Sequence, residues 1–371
     1  MAELQVRSGH IVALRLYDIA YAIDLRRVED IWARHAGTAS SRSRLSATPA
    51  KAVAFGVPPV ALSLDPMPLH LGPLATTAAV TARIYDFGVV ALALRVPTVD
   101  LSWPDYTALL NAMDAHVGDG GDGLLWDGLL ARVRSLLAEA LERPTGSAIE
   151  EDYLIGTVHA FSEKLTAAAL RDRMDLVPLL SGEQRALSDG ARRDLLRQSF
   201  SYYADDLVVL AWDRAFIYEP RGDSDVADVL EVANAQLLEM RYYDELLDDE
   251  LPRMYGLVQT TRRTANILAP RRFAKLARRL YTLVAEVTEL TEKADNALQV
   301  TEDVYLARIY TAALGLFRVP TVSAAVDRKL SIIRDTYTAL YDEANSSRAG
   351  LMEFLILVLI AVEIVLALVR P

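Results

Sequence analysis

The sequence predicts an α+β protein: a mixed α/β head, then long helices, then one apolar helix at the C-terminal end. Three observations predict it. Strand-like runs alternate with amphipathic helices as far as Pro220. From Asp225 onward the apolar spacing is helical throughout. Leu351 to Val369 then reads LMEFLILVLIAVEIVLALV, with seventeen apolar residues and two glutamates. At 1.5 Å per residue that stretch is about 28 Å long, against a hydrocarbon core of roughly 30 Å.

The elements follow in order. Val6 to Ile23 has a strand pattern, and Asp24 is a good N-cap for a helix over Leu25–Ala36 with Val28, Ile31 and Trp32 on one face. Gly37 to Pro49 is a Ser-rich loop. Ala52 to Leu64 reads as a strand broken at Pro58-Pro59, and Asp65 to Pro73 as a proline-punctuated loop. Ala78–Tyr85 and Gly88–Val96 form a hairpin across Asp86, and Pro104 opens a helix to Val117. Gly118 to Gly123, GDGGDG, fits G-x-G-x-x-G in form only. A helix precedes it where the dinucleotide fingerprint needs a strand, and its two aspartates would repel a pyrophosphate. It reads as a loop before a helix over Leu124–Leu141.

A second pass of the same pattern follows. Tyr153–Phe161 is a strand, Ser162 caps a helix through Leu170, and another helix spans Glu183–Gln198. Leu207–Tyr218 is a hairpin turning at Trp212-Asp213-Arg214, where an aromatic and an Asp sit as in Tyr85-Asp86. The match suggests two related βαββα-like halves, 1–145 and 146–222.

Residues 223–349 form a helical stalk, punctuated at Pro252 and Pro270. Leu280, Leu283, Val287, Leu290, Ala294, Ala297, Thr301 and Val304 alternate steps of three and four, a coiled-coil seam. Val319-Pro320 breaks the chain. Val322, Val326, Leu330, Ile333, Tyr337, Leu340 and Ala344 then continue the spacing, which predicts an antiparallel hairpin. Residues 350–371 are the transmembrane anchor. Its fourteen Leu, Ile, Val and Phe residues outweigh its two acids on an insertion scale. Glu353 and Phe354 lie at the edge. Glu363 lies deep, where an acid faces another helix, is held neutral and hydrogen-bonds between copies. The alternative is an apolar helix buried in an oligomer.

Composition narrows the function. The chain has no cysteine, so no disulfide framework and no thiolate chemistry. Its first residues, MAELQVRSGH, lack the pattern of a signal peptide, which places the head in the cytoplasm. A net charge of −11 argues against coating nucleic acid by bulk charge. The histidines, His10, His35, His70, His116 and His159, show no metal-ligand spacing. No catalytic, metal or cofactor residue is assigned, and no small-molecule substrate is expected. Glu239, Arg241, Asp244 and Asp248 share a helix face that is either a partner or divalent-cation site or an internally paired surface. Arg262, Arg263, Arg271, Arg272, Lys275, Arg278 and Arg279 form a basic run. It would suit RNA phosphates or lipid headgroups, or pair with the acidic face.

Several of these residues resemble one family. The tail around Glu353 and Glu363-Ile364, the segments Leu230–Glu239 and Asp327–Leu330, and the hairpin Tyr85-Asp86-Phe87-Gly88-Val89-Val90 are similar to the "required for meiotic nuclear division" or YagE-like family. Phe354 stands where the family pattern has Trp. The resemblance implies a membrane-anchored protein with an α/β head and a coiled-coil stalk, without established catalysis. Eukaryotic relatives sit at the mitochondrial inner membrane and support translation. The Ala-rich and Arg-rich composition here points to a bacterial inner membrane instead. The expectation is therefore a non-enzymatic, oligomeric, membrane-tethered scaffold. An adaptor for ribosomes or RNA is the alternative, and a hydrolase or nucleotide-binding enzyme the less supported one.

Overall fold

The structure is a computed structural model. It describes residues 4–36, 41–42, 57–72, 74–118, 121, 123–183, 185–222, 225–263 and 304–369, with scattered positions of a helix between 275 and 288. It is an α+β protein with a large N-terminal sheet and C-terminal helices. The chain divides into two compact units, Met1–Tyr242 with Lys293–Pro320, and Tyr243–Glu292 with Thr321–Pro371.

The first unit is built on one sheet. Its strands are β1 (Gln5–Asp18), β3 (Ser41–Arg42), β4 (Val60–Leu71), β5 (Leu74–Ile84), β6 (Val89–Ser102), β8 (Glu150–Phe161), β9 (Ser199–Phe200), β10 (Leu207–Leu210) and β11 (Arg214–Tyr218). Their order is β3-β4-β5-β6-β1-β8-β11-β10-β9. A small ribbon pairs β2 (Ala20–Ile23) with β7 (Leu141–Pro144). Strands from both expected halves thus share one sheet, joined where β1 pairs with β8. The strand order repeats outward from that join, but the polarity does not. β6 is antiparallel to β1, whereas β11 is parallel to β8.

Alternate residues of each strand face opposite sides. One side, with Ile11, Ala13, Leu92, Leu94, Leu154 and Phe216, forms the main apolar core. Against it pack α1 (Leu25–Ala36), α2 (Trp103–Val117) and α3 (Gly123–Leu137). Asp24 caps α1 through the backbone N–H groups of Arg26 and Arg27, and Ser102 caps α2 ahead of Pro104. The Tyr106 hydroxyl of α2 reaches the carbonyls of His10 and Thr157, so α2 lies directly over the β1–β8 join.

The other side is covered by the start of α7 (Val226–Arg263). Arg83 of β5 pairs with Asp228 at 2.8 Å and with Glu231 at 3.2 Å. The Tyr85 hydroxyl, fully buried, donates to Glu231 at 2.7 Å. The Tyr85–Val90 hairpin and the Leu230–Glu239 segment, both singled out by resemblance, therefore touch. At the turn between them, Gly88 has φ +101°, and a Cβ there would lie 1.8 Å from the Ala20 carbonyl oxygen.

Four expectations change. Asp65–Pro73 is not a loop: β4 runs on to Leu71, with a register shift between Leu64 and Met67. Beyond its two-residue pairing with β3, β4 is an edge strand among the described residues, and Pro66 and Pro68 fall at and beside the bulge, where the missing N–H costs little. Thr166, not Ser162, caps the helix after β8, now α4 (Ala167–Arg173). The expected helix over Glu183–Gln198 shrinks to one short helix, α6 (Asp189–Leu195), and another short helix, α5 (Val177–Ser181), precedes it. Gly182, at φ +65°, turns the chain there beside the buried Arg214 guanidinium. Finally, α7 runs through Pro252, which is exposed and costs one N–H bond without ending the helix.

The second unit is helical. Tyr243, Leu247 and Met254 of α7 are buried, as are Leu280, Val287, Val326, Leu330 and Ile333 of the expected seams. Tyr281 and Tyr337 touch, with ring centres 5.9 Å apart. Leu283, Leu290, Ala294, Ala297 and Thr301 lie outside the described residues. In the first unit, α8 (Val304–Leu316) ends where the chain breaks, and α9 (Val319–Val369) begins there and runs into the second unit, as Val319-Pro320 predicts. Among the described residues no single helix is long and apolar enough to cross a membrane. The pair Val304–Leu316 and Val319–Ala339 meets that requirement only when taken together.

Removing Arg83 leaves Glu231 buried without its cation. Arg83→Met should lower unfolding free energy in urea by about 3 kcal/mol, and the double variant Arg83→Met/Glu231→Leu should recover most of that loss.

Candidate functional site: a histidine pair in a polar cavity

Besides the Arg83 cluster, the sheet carries a second polar patch on its α7 side. His10 of β1 sits opposite Thr157 of β8, and Arg95 of β6 pairs with the next same-face residue, Val12. His159 follows two residues after Thr157. The register jumps there, from Gly9 opposite Val158 to Ser8 opposite Ala160, so His159 is the extra residue of a β-bulge. A bulge re-aims its side chain, and bulges gather at functional sites. Gly9 permits the close approach, since a Cβ there would lie 2.3 Å from the Thr157 carbonyl oxygen.

These residues line a cavity of about 330 Å³. Glu219 to Gly222, just after β11, and Ala227 and Asp228 of α7 complete it. His10 Nδ1 lies 3.2 Å from His159 Nε2 and 3.1 Å from an Arg95 guanidinium nitrogen. His159 Nδ1 lies 3.2 Å from the Glu219 carbonyl oxygen.

These contacts fix the protons. Arginine only donates, so His10 Nδ1 accepts. The Glu219 carbonyl only accepts, so His159 Nδ1 donates to it. His10 is therefore neutral, with its proton on Nε2. The protons are assigned from this geometry. Burial, then the Arg95 and His159 charges, push the His10 imidazole down to about 3.

Sequence spacing did not reveal this pair. The two histidines come from strands far apart in the chain. The signal available was a histidine in each of two otherwise apolar strand runs. The residues that the sequence did single out lie elsewhere. Glu239 is buried, and Arg241 pairs with Glu151. Asp244 and Asp248 both engage Lys329, at 2.7 and 2.6 Å. The pairing expected with Arg241 and Arg253 is not the one seen at Asp244 and Asp248: Arg253 pairs with Asp249 and Glu250. Lys275 and Arg278 are exposed. The side chains of Arg262, Arg263, Arg271, Arg272 and Arg279 lie outside the described residues, as do those of Glu353, Phe354 and Glu363. Among the described residues no group of three or more His, Cys, Asp or Glu could hold a metal ion.

A family model described as "Uncharacterized protein MJ0711, N-terminal domain" matches residues 8–225. The chain belongs to this family. The match takes in almost all of the large sheet and every cavity residue except those of α7. The uncharacterized protein MJ0711 of Methanocaldococcus jannaschii is 25% identical over 217 residues, which is 58% of this chain and 66% of that relative. The chain thus spans just under two thirds of that relative's length. No solved structure matches the chain.

One acid elsewhere in the sheet opposes His10 in its effect on stability. Burial pushes the Asp18 carboxyl up to about 7, partly offset by a hydrogen bond from Thr145 and by Arg134. A depressed histidine makes stability rise with pH, here between about 3 and 6.5, because the unfolded chain takes the proton first. A raised carboxyl does the reverse, here between 3.8 and about 7. The two slopes cancel in the native protein. His10→Asn should therefore make stability fall from pH 4 to 6.5, and Asp18→Asn should make it rise, each by about 1.4 kcal/mol per pH unit in urea titrations.

Proposed function

We propose that the protein is a membrane-tethered, non-enzymatic binding module, an α+β head fixed by the end of α9. The observation that carries this reading is the exposure of Ile356, Leu357, Val358, Leu359 and Ile360, each between 41% and 66%. Successive helix residues point about 100° apart, so five in a row cover every side. A helix that is apolar all round belongs in a protein core or a bilayer. Among the described residues no protein face covers these five, and the flanking sequence from Leu351 to Val369 is apolar apart from Glu353 and Glu363. A head at the inner face of a bacterial membrane, in several copies, fits this arrangement. An adaptor role toward RNA or ribosomes is the second reading, supported by the exposure of Lys275 and Arg278 within the basic run.

Carbonate extraction of membranes tests the tether. The full chain should stay in the pellet. The variant Ile356→Asp/Leu359→Asp should move to the soluble fraction, since each buried charge costs about 2.5 to 3.5 kcal/mol of insertion. Release of the unmodified chain by carbonate would remove the membrane from this reading.

A further inference from the structure

The cavity beside the histidine pair lies in the head and is independent of the tether. Two arginines, Arg95 and Arg221, line it together with the carboxylates of Glu219 and Asp228. Asp228 is already engaged by Arg83 at 2.8 Å. The Arg221 guanidinium stacks over the Tyr203 ring, 4.6 Å from its centre, which holds the charge in place at the rim.

One group of the lining is unspent. The Thr157 hydroxyl is shielded from solvent and has no hydrogen-bond partner, on a residue only 2% exposed. A buried hydroxyl without a partner costs stability, so a site that keeps one has a use for it.

A metal ion is the competing occupant. Two imidazole nitrogens 3.2 Å apart could flank one ion. The Arg95 guanidinium lies 3.1 Å from that same His10 nitrogen, however, and would repel a cation. The charge balance favours the opposite sign.

We propose that this cavity binds a small oxyanion, a carboxylate or phosphate group, with Arg95 and Arg221 supplying charge and the Thr157 hydroxyl supplying a hydrogen bond. A cavity of about 330 Å³ is at the small end of ligand sites, which suits a compact anion rather than a nucleotide.

The test uses the purified full chain, with inorganic phosphate and malonate as probes and chloride at equal ionic strength as the reference. One or both probes should raise the melting temperature saturably, and calorimetry should give a single site. The two probes distinguish phosphate from carboxylate ligands. Thr157→Val removes only an unpartnered hydroxyl, so the free protein should melt no lower than the native one, while probe affinity should fall about ten-fold. Arg95→Met should abolish binding. If that variant does not fold, Arg221→Gln at the rim replaces it and should weaken binding by a similar factor. The proposal is overturned if neither probe acts beyond chloride. It is equally overturned if Thr157→Val and Arg221→Gln bind like the native protein, or if zinc alone stabilises the chain and the anions do not.

Discussion

The placement of α7 over the sheet depends on a small cluster of buried charge. Glu231 projects from an otherwise apolar helix face into a setting where an unpaired carboxylate would be costly. Arg83 and the Tyr85 hydroxyl meet it there, and Asp228, one turn earlier, shares the same guanidinium. Burial and the neighbouring Asp228 drive the Glu231 carboxyl upward, while Arg83 and the Tyr85 hydrogen bond oppose that shift. An apolar contact would let α7 slide along the sheet, whereas these directional contacts fix it at one position. The polar cavity exists because α7 is held there, with Asp228 at its wall.

The same economy governs the histidine pair. Its geometry does not depend on an external ligand to orient it. A backbone carbonyl, a guanidinium and a bulge together orient the two rings. On the opposite side of β1 and β8, Tyr106 ties the His10 and Thr157 carbonyls to α2. The site is therefore anchored from both faces of the sheet, which suits a head that recognises a ligand without changing shape.

Local signals made much of the fold legible. Asp24, Ser102 and Pro104 mark helix starts that the structure keeps, and the turns at Asp86 and Asp213 join the strands expected around them. Misreadings came where tertiary context overrode a local rule. Pro66 and Pro68 look like loop residues until the strand is known to lie at a sheet edge with a bulge. Pro252 looks like a breaker until its exposed position in α7 is seen. The cavity was illegible for a different reason. His10, Arg95 and His159 belong to three strands that meet only through long-range pairing, and nothing local connects them. The hairpin and helix segments picked out by resemblance do meet, through Tyr85 and Glu231, a contact that no spacing rule gives.

The central position of β1 also bears on how the chain is made. Val12 pairs with Arg95 on one side and with Ile155 on the other, so both partners of this strand leave the ribosome long after it does. Until then its apolar residues have no sheet to join. Local structure cannot relieve this, because every ladder that β1 forms is long-range. A nascent chain of this protein therefore carries the unpaired apolar residues of β1 through most of the synthesis of the head, and they stay open to aggregation until the chain has passed Phe161.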